Sequence, residues 1–112
     1  MAIALAMALP AVLWAQPKGK TVSVKGEIVD LWCFLEDGSR GAKHKDCGMT
    51  CAKAGNPIGI VDKKGNVYVL MGIEDHQPAK DVLIDNMAST VTVTGTLVKK
   101  GGTQVIYVKK VK

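Results

Sequence analysis

The chain has 112 residues, of which 47% are hydrophobic and only 4% are aromatic. These 112 residues leave room for one domain with a modest core. The formal net charge is +5, and no charged residue occurs among residues 1–17. The basic excess therefore belongs to the folded part, where it favours phosphate, anionic lipid or an acidic protein as a partner without specifying a fold.

Residues 1–17 begin with the apolar run "MAIALAMALPAVLWA". The run is typical of a secretory signal peptide, with small Ala15 at its end. The alternative is an uncleaved membrane anchor, although the run is shorter than the roughly 20 residues of a spanning helix. We therefore expect residues 18–112 to form one exported domain, either periplasmic or secreted, or anchored and facing the periplasm. Membrane contact is expected only if residues 1–15 are retained.

The first part of the domain predicts a strand, a loop and a short helix. β-branched residues alternate along residues 21–34, and the apolar parity changes after Gly26, which predicts a long strand with a bend or bulge at that glycine. Residues 35–45 are polar and predict a loop. The segment "DCGMTCAKA", residues 46–54, predicts a short helix with Asp46 as its N-cap.

The rest of the chain predicts two hairpins separated by a helix. The runs "PIGIVD" and "NVYVLMG" are joined by "KKG", and "TVTVTGTLV" and "TQVIYVKKV" are joined by "KKGG". Between the hairpins, residues 77–88 carry apolar residues at helical spacing. This order predicts a mainly β protein, a small five-stranded OB-fold-like barrel with one helix between strands 3 and 4 and a short Cys-bearing helix between strands 1 and 2. An open five-stranded α+β sheet is the alternative.

One histidine and all three cysteines of the chain carry the main chemical signal. Cys47 and Cys51 are four residues apart, so they share a face of the predicted helix. His44 precedes that helix, and Cys33 lies at the predicted end of the first strand. Such ligands suit tetrahedral zinc, and a cysteine-rich set also suits Cu(I). We predict a metal site formed by Cys33, His44, Cys47 and Cys51.

A disulfide is the alternative use of these cysteines. A bond from Cys33 to Cys47 or to Cys51 would pin the short helix onto the barrel and leave one thiol, with no metal cofactor. Closing a loop of about 15 residues contributes roughly 3 kcal/mol in the chain-entropy model. His44 favours the metal site over the disulfide, because a histidine can bind a metal but takes no part in a disulfide bond.

The run "VKGEIVDLWCF…HKDCGMTCAKAGNPIGIVDKKGNVYVLMG…VTVTGTL" resembles a group of small exported bacterial proteins. They share a cysteine, a His-x-x-Cys-x-x-x-Cys motif, a "YVL"-type strand and a "VTVTG" strand. The resemblance covers roughly residues 22–98. It implies an exported OB-fold-like protein, and the group has no settled biochemical function.

Other functional signals are weak. The sequence has no CxxCH motif, no Ser–His–acid arrangement, no phosphate loop and no dinucleotide fingerprint, so we expect no catalytic residues. Nucleic acid is disfavoured as a partner, because few aromatic residues remain for base stacking. We expect an exported, non-catalytic metal-binding module. The alternative is a disulfide-stapled accessory subunit that binds a protein partner in an envelope or membrane complex.

Overall fold

The computed structural model describes residues 3–7 and 16–112. Most of the predicted signal peptide or anchor, residues 1–2 and 8–15, lies outside the described residues. Among those that are described, no helix is long and apolar enough to cross a membrane.

Five strands form a closed barrel. The strand order around the barrel is β1-β2-β3-β5-β4, and β4 pairs with β1 to close it. Neighbouring strands are antiparallel except for β3 and β5, which are parallel. This arrangement confirms the predicted small, mainly β, OB-fold-like barrel rather than an open sheet. The strands are β1 (Lys20–Asp30), β2 (Ile58–Asp62), β3 (Val67–Gly72), β4 (Thr90–Lys100) and β5 (Thr103–Val111).

Short helices lie in two of the connections. Between β1 and β2 are α1 (Leu31–Asp37), a 3₁₀ turn (Ala42–His44) and α2 (Lys45–Lys53). Between β3 and β4 are α3 (Lys80–Leu83) and a second 3₁₀ turn (Ile84–Asn86). The Cys-bearing helix and the helix between strands 3 and 4 are thus both present.

The helix predicted over residues 77–88 is shorter than expected. Only Lys80–Leu83 is α-helical, and the chain then tightens into the 3₁₀ turn. Ala88 has a φ of 64° and donates its N–H to the carbonyl of Ile28 at 2.9 Å. The helix therefore ends because the chain must return to β1 at this point.

The prediction that the first strand continues to residue 34 is wrong. The strand ends at Asp30, whose carboxylate accepts the backbone N–H of Cys33 at 2.9 Å and so caps α1. At the other end, Gly38 adopts a left-handed conformation and donates to the carbonyl of Phe34. Cys33 therefore lies in the first turn of a helix, and the predicted loop over 35–45 is partly helical.

The predicted N-cap of α2 is also displaced. The helix begins at Lys45, His44 occupies the capping position without a side-chain cap, and Asp46 lies in the first turn. A carboxylate there still interacts favourably with the positive end of the helix dipole. The displacement leaves the His44 side chain available for another partner.

The barrel interior is filled by aliphatic side chains from all five strands. Ala52 of α2 and Met87, just before β4, are almost fully buried in the same cluster. Each large aliphatic side chain that is removed from water contributes roughly 1.5–3 kcal/mol. The shared core therefore holds the helix that carries Cys47 and Cys51 against the barrel. The largest fully buried members are Ile28, Ile58, Ile60, Leu83, Met87, Ile106, Val93 and Val108.

Gly26 lies where β1 changes partners. The strand pairs with β2 from Gly26 to Asp30 and with β4 from Lys20 to Glu27. A Cβ atom at position 26 would lie 2.3 Å from the carbonyl oxygen of Val61, so no side chain fits there. This is the glycine at which the sequence predicts a bend or bulge.

Candidate metal centre

The three cysteines meet at one place, although they come from two different helices. Cys33 lies in α1, and Cys47 and Cys51 lie one turn apart on α2. Their sulfur atoms are all within 4.8 Å of one another. All three are free thiols, and neither of the predicted disulfides is present. Cys33 and Cys51 are half-buried, whereas Cys47 is exposed.

His44 belongs to a second group that shares Cys33. The ligand atoms of Asp30, Cys33 and His44 also lie within 4.8 Å of one another. The four predicted ligands do not form a single group at this spacing. The structure therefore brings His44 next to Cys33, and Cys33 is the residue that the two groups share.

Asp30 is the site residue that the sequence analysis missed. Its side chain is fully buried, and Oδ2 lies 2.7 Å from Nε2 of His44. With the Asp30 carboxylate as the acceptor, the pair requires the tautomer of His44 that is protonated at Nε2. In a neutral imidazole, Nδ1 is then the nitrogen that can bind a metal. One sequence signal points to Asp30. It is an aspartate three residues before Cys33, at a position where its side chain can cap a helix that begins with an apolar residue.

Burial and the charge of Asp30 keep the inner thiols protonated. Desolvation raises the pKa of Cys33 to about 12, with further increases from the negative charge of Asp30 and from hydrogen bonds to Cys51 and Asp30. Burial, followed by the Asp30 charge, also raises the pKa of Cys51. Without a cation, both side chains are therefore neutral thiols near pH 7.

Gly48 lets α2 approach the buried carboxylate closely. It lies between the two cysteines of the helix and is itself buried. A Cβ atom there would lie 3.0 Å from both Cγ and Sδ of Met87 and 3.3 Å from Oδ2 of Asp30. The absence of a side chain at this position therefore helps to bring Cys47 and Cys51 close to Cys33.

The loop that carries His44 is attached to β1 by Glu27. The Glu27 carboxylate accepts the backbone N–H of Gly41 at 2.7 Å and the Nε–H of Arg40 at 3.2 Å. The Arg40 guanidinium lies 5.8 Å from the centre of the Phe34 ring, within range of a cation–π interaction. These contacts hold the chain between α1 and α2 in a defined path, and His44 follows directly.

The thiol spacing is close to that of a metal thiolate site. With Zn–S bonds of about 2.3 Å, tetrahedral geometry places two sulfurs about 3.8 Å apart. The sulfurs of Cys33, Cys47 and Cys51 lie within 4.8 Å, so each pair needs to approach by about 1 Å at most. Small side-chain rotations supply that movement. The spacing is therefore compatible with a soft or borderline cation.

The second histidine of the chain takes no part in this centre. The His76 side chain is 91% exposed, and its Nδ1 lies 3.0 Å from a carboxylate oxygen of Asp75. It is a surface histidine whose neighbours in the sequence, "EDHQP", are mostly polar.

Comparisons with known proteins find no match to the chain among protein-family models, curated proteins or solved structures. The resemblance to small exported bacterial proteins stays a prediction. The interpretation of the site rests on its own geometry and chemistry.

Proposed function

We propose that the protein is an exported, non-catalytic module that binds a metal cation, zinc or copper, through the thiolates of Cys33, Cys47 and Cys51, with His44 as the fourth ligand. The observation that carries the proposal is the meeting of three free thiols within 4.8 Å. Two of these come from one helix and the third from a separate helix, so helical spacing alone does not explain the cluster.

The electrostatics of the site support a cation. The buried Asp30 carboxylate lies beside two half-buried thiols, and its charge disfavours their ionisation. The same negative field attracts a metal ion, which displaces the thiol protons when it binds. The positive charge of the metal then offsets the repulsion between three thiolates and one carboxylate that lie close together.

In this proposal, Asp30 fixes the orientation of the His44 ring as a metal ligand. A histidine that binds a metal usually donates its other ring N–H to a carboxylate or carbonyl, which fixes the ring and raises its basicity. The hydrogen bond between His44 and Asp30 is of this kind. His44 reaches the metal through Nδ1 after a side-chain adjustment toward Cys47 and Cys51.

The exposure of Cys47 supports metal storage or delivery. Its side chain is open to solvent, whereas Cys33 and Cys51 are half-buried. An accessible thiolate gives an incoming or outgoing ion a first point of attachment. Residues 1–15 support a location in the periplasm or outside the cell, because their apolar pattern is that of an export signal.

Elemental analysis of the purified protein, combined with a count of titratable thiols, tests the metal proposal. We expect one zinc or copper ion per chain and three reactive thiols after chelation under reducing conditions. The variants Cys33→Ser, Cys47→Ser and Cys51→Ser each lower the bound metal, and His44→Ala weakens its binding. The matched control is His76→Ala, which removes an exposed histidine from the same domain.

Two results would overturn the proposal. One is a protein that takes up no stoichiometric zinc or Cu(I) when it is reduced and fully folded by circular dichroism. The other is equal metal affinity in the His44→Ala and His76→Ala variants together with unchanged affinity in the cysteine variants.

A second function is favoured by apolar side chains on α1. Trp32 is 62% exposed and Leu35 is 70% exposed. Because they are three residues apart in a helix, they lie on the same side of it. We propose as the alternative that this side of α1 contacts a protein partner in an envelope or membrane complex. In cells, the Trp32→Ser/Leu35→Ser variant should then no longer crosslink to the partner protein. The His44→Ala variant should still crosslink to it. Equal crosslinking by the two variants contradicts the alternative.

A further inference from the structure

A second site lies at the groove that opens where β1 leaves β2. The last pair between these strands is Gly26 with Asp62, and further toward its N-terminus β1 pairs with β4. The resulting groove has a volume of about 690 Å³ and is bordered by the turn that joins β2 to β3. This volume is within the range of small-molecule sites, roughly 300–1,000 Å³. None of the three cysteines lines it.

The groove carries more positive than negative side chains. Four cationic residues and two acidic residues line it. Because Gly26 is opposite Asp62, Lys25 and Lys63 are the next residues on the two sides of the gap. Lys64 follows in the turn. The cationic residues are Lys25, Arg40, Lys63 and Lys64, and the acidic ones are Glu27 and Asp62.

Both carboxylates already have partners within the protein. Glu27 binds Arg40 and the backbone of Gly41. Asp62 accepts hydrogen bonds from the backbone and side chain of Asn66 and from the backbone of Lys64, each at 2.9 Å. The Asn66 side-chain bond is the main cause that lowers the Asp62 pKa.

The lysines, by contrast, have no such partners. Across residues 3–7 and 16–112, no salt bridge involves Lys25, Lys63 or Lys64. The groove therefore presents three ammonium groups that form no salt bridge, and the charge of one of them, Lys64, also helps to lower the Asp62 pKa. Tyr68, which is half-buried and packs against the barrel core, adds an apolar wall.

From this arrangement we propose that the groove binds a small anion with two or more negative charges, such as a phosphate or a dicarboxylate group. Because ammonium groups lie on both sides of the gap, each side can bind one of the negative charges of a compact ligand. Among the residues that the structure describes, Tyr68 is the one aromatic residue in the lining. A single-strand nucleic-acid site normally uses several aromatic rings for successive bases, so the lining favours a small ligand. The proposal does not depend on the metal site.

Nuclear magnetic resonance titration of ¹⁵N-labelled protein tests this inference. The probes are inorganic phosphate and succinate, which separate phosphate from carboxylate chemistry. Saturable shifts are expected for backbone amides of residues 23–27 and 62–66 with at least one probe. Lys63→Glu/Lys64→Glu is expected to weaken that binding at least roughly tenfold, because two attractive charges become repulsive.

The matched control is Lys109→Glu/Lys110→Glu, which changes the net charge equally at two exposed residues of β5. Circular dichroism and thermal unfolding check that both variants fold. Equal weakening by the two variants, or non-saturable shifts spread over the whole surface, overturns the proposal. Tight binding of a single-stranded oligonucleotide without saturable binding of either small anion overturns it in favour of a nucleic-acid site.

Discussion

Nε2 of His44 lies 2.7 Å from Oδ2 of Asp30, across fourteen positions of the sequence. The aspartate is fully buried and also caps α1 through the backbone of Cys33. One carboxylate therefore determines where α1 begins and how the His44 ring is held. It also increases the proton affinity of two thiols. Changes to Asp30 should consequently affect the metal, the thiols and the helix in separable ways.

Asp30→Asn should weaken metal binding while the barrel stays folded. Asparagine still caps a helix and still bonds a histidine, but it lacks the charge. We expect a loss of roughly 10–100-fold in metal affinity, as for other residues that support a metal ligand. In the metal-free protein the pKa of Cys33 should fall below about 12, because the Asp30 contribution is removed while burial remains.

Competition titration with a chromophoric chelator measures the affinity, and thiolate absorbance against pH measures the pKa. Asp81→Asn is the control, since it removes the same charge from an exposed residue in the first turn of α3. Unchanged affinity and unchanged thiol titration in Asp30→Asn would contradict the role assigned to the carboxylate.

The three thiols should react with an alkylating agent at different rates. Only the thiolate reacts, and a pKa of about 12 leaves Cys33 ionised to about one part in ten thousand near pH 8. Cys47 is exposed and should react first, whereas Cys33 should accelerate about tenfold per pH unit up to its pKa. Fragment-ion mass spectrometry of the metal-free protein distinguishes the three positions. Similar rates are expected only in denaturant, and finding them in the folded protein would contradict the prediction.

Gly48→Val should destabilise the protein and displace α2. The new side chain has no room against Met87 and Asp30, and overpacking of this kind costs about 1–3 kcal/mol. Denaturant unfolding measures the loss, and metal titration should show weaker binding. Thr50→Val puts the same residue at an exposed position of the same helix and is the control. Equal unfolding free energies in the two variants would contradict the close approach at Gly48.

Removal of the metal should lower the unfolding temperature. A ligand that binds only the folded state stabilises it by about 2.7 kcal/mol at 100 times its dissociation constant. For a domain of this size, each 1 kcal/mol corresponds to roughly 4–8 °C. We therefore expect a decrease on the order of 10 °C after chelation, measured by calorimetry with and without added zinc. The Cys33→Ser variant should show a much smaller change, and an equal change would assign the effect to a different site.

Asp62 should contribute stability that is lost in acid. Hydrogen bonds from Asn66 hold its pKa below the ordinary value of 3.8. A depressed carboxyl pKa in the folded state contributes stability above the unfolded-state value, and this stability disappears as the pH falls through the folded-state pKa. Asp62→Ala should therefore lower the urea midpoint near neutral pH and have less effect well below pH 3.8. An equal decrease at both pH values would show that the carboxylate charge is not the cause.

Some residues of this site can be predicted from the sequence, and others cannot. Cys47 and Cys51 follow from helical spacing, which is a local property. The sequence predicts Cys33 near them but at the end of the strand rather than in α1, because Trp32 and Phe34 continue the alternating pattern of the strand. The sequence did contain the opposing signals, namely Asp30 as an N-cap and Gly38 as a C-terminal stop. These local signals were outweighed by β-strand periodicity.

The sequence alone determined the order of the five strands and the presence of the helix that carries Cys47 and Cys51, because alternation, turn glycines and helical spacing are local patterns; it did not reveal α1. It also marked Gly26, where the structure shows a close backbone approach and a change of strand partner. The tertiary structure decided which polar groups meet. Asp30, His44 and the three thiols come together only when the barrel closes and α2 packs on it. The groove beside Lys25 and Lys63 likewise exists only because β1 exchanges one neighbouring strand for another. Such contacts depend on distances between remote segments, which no local pattern encodes.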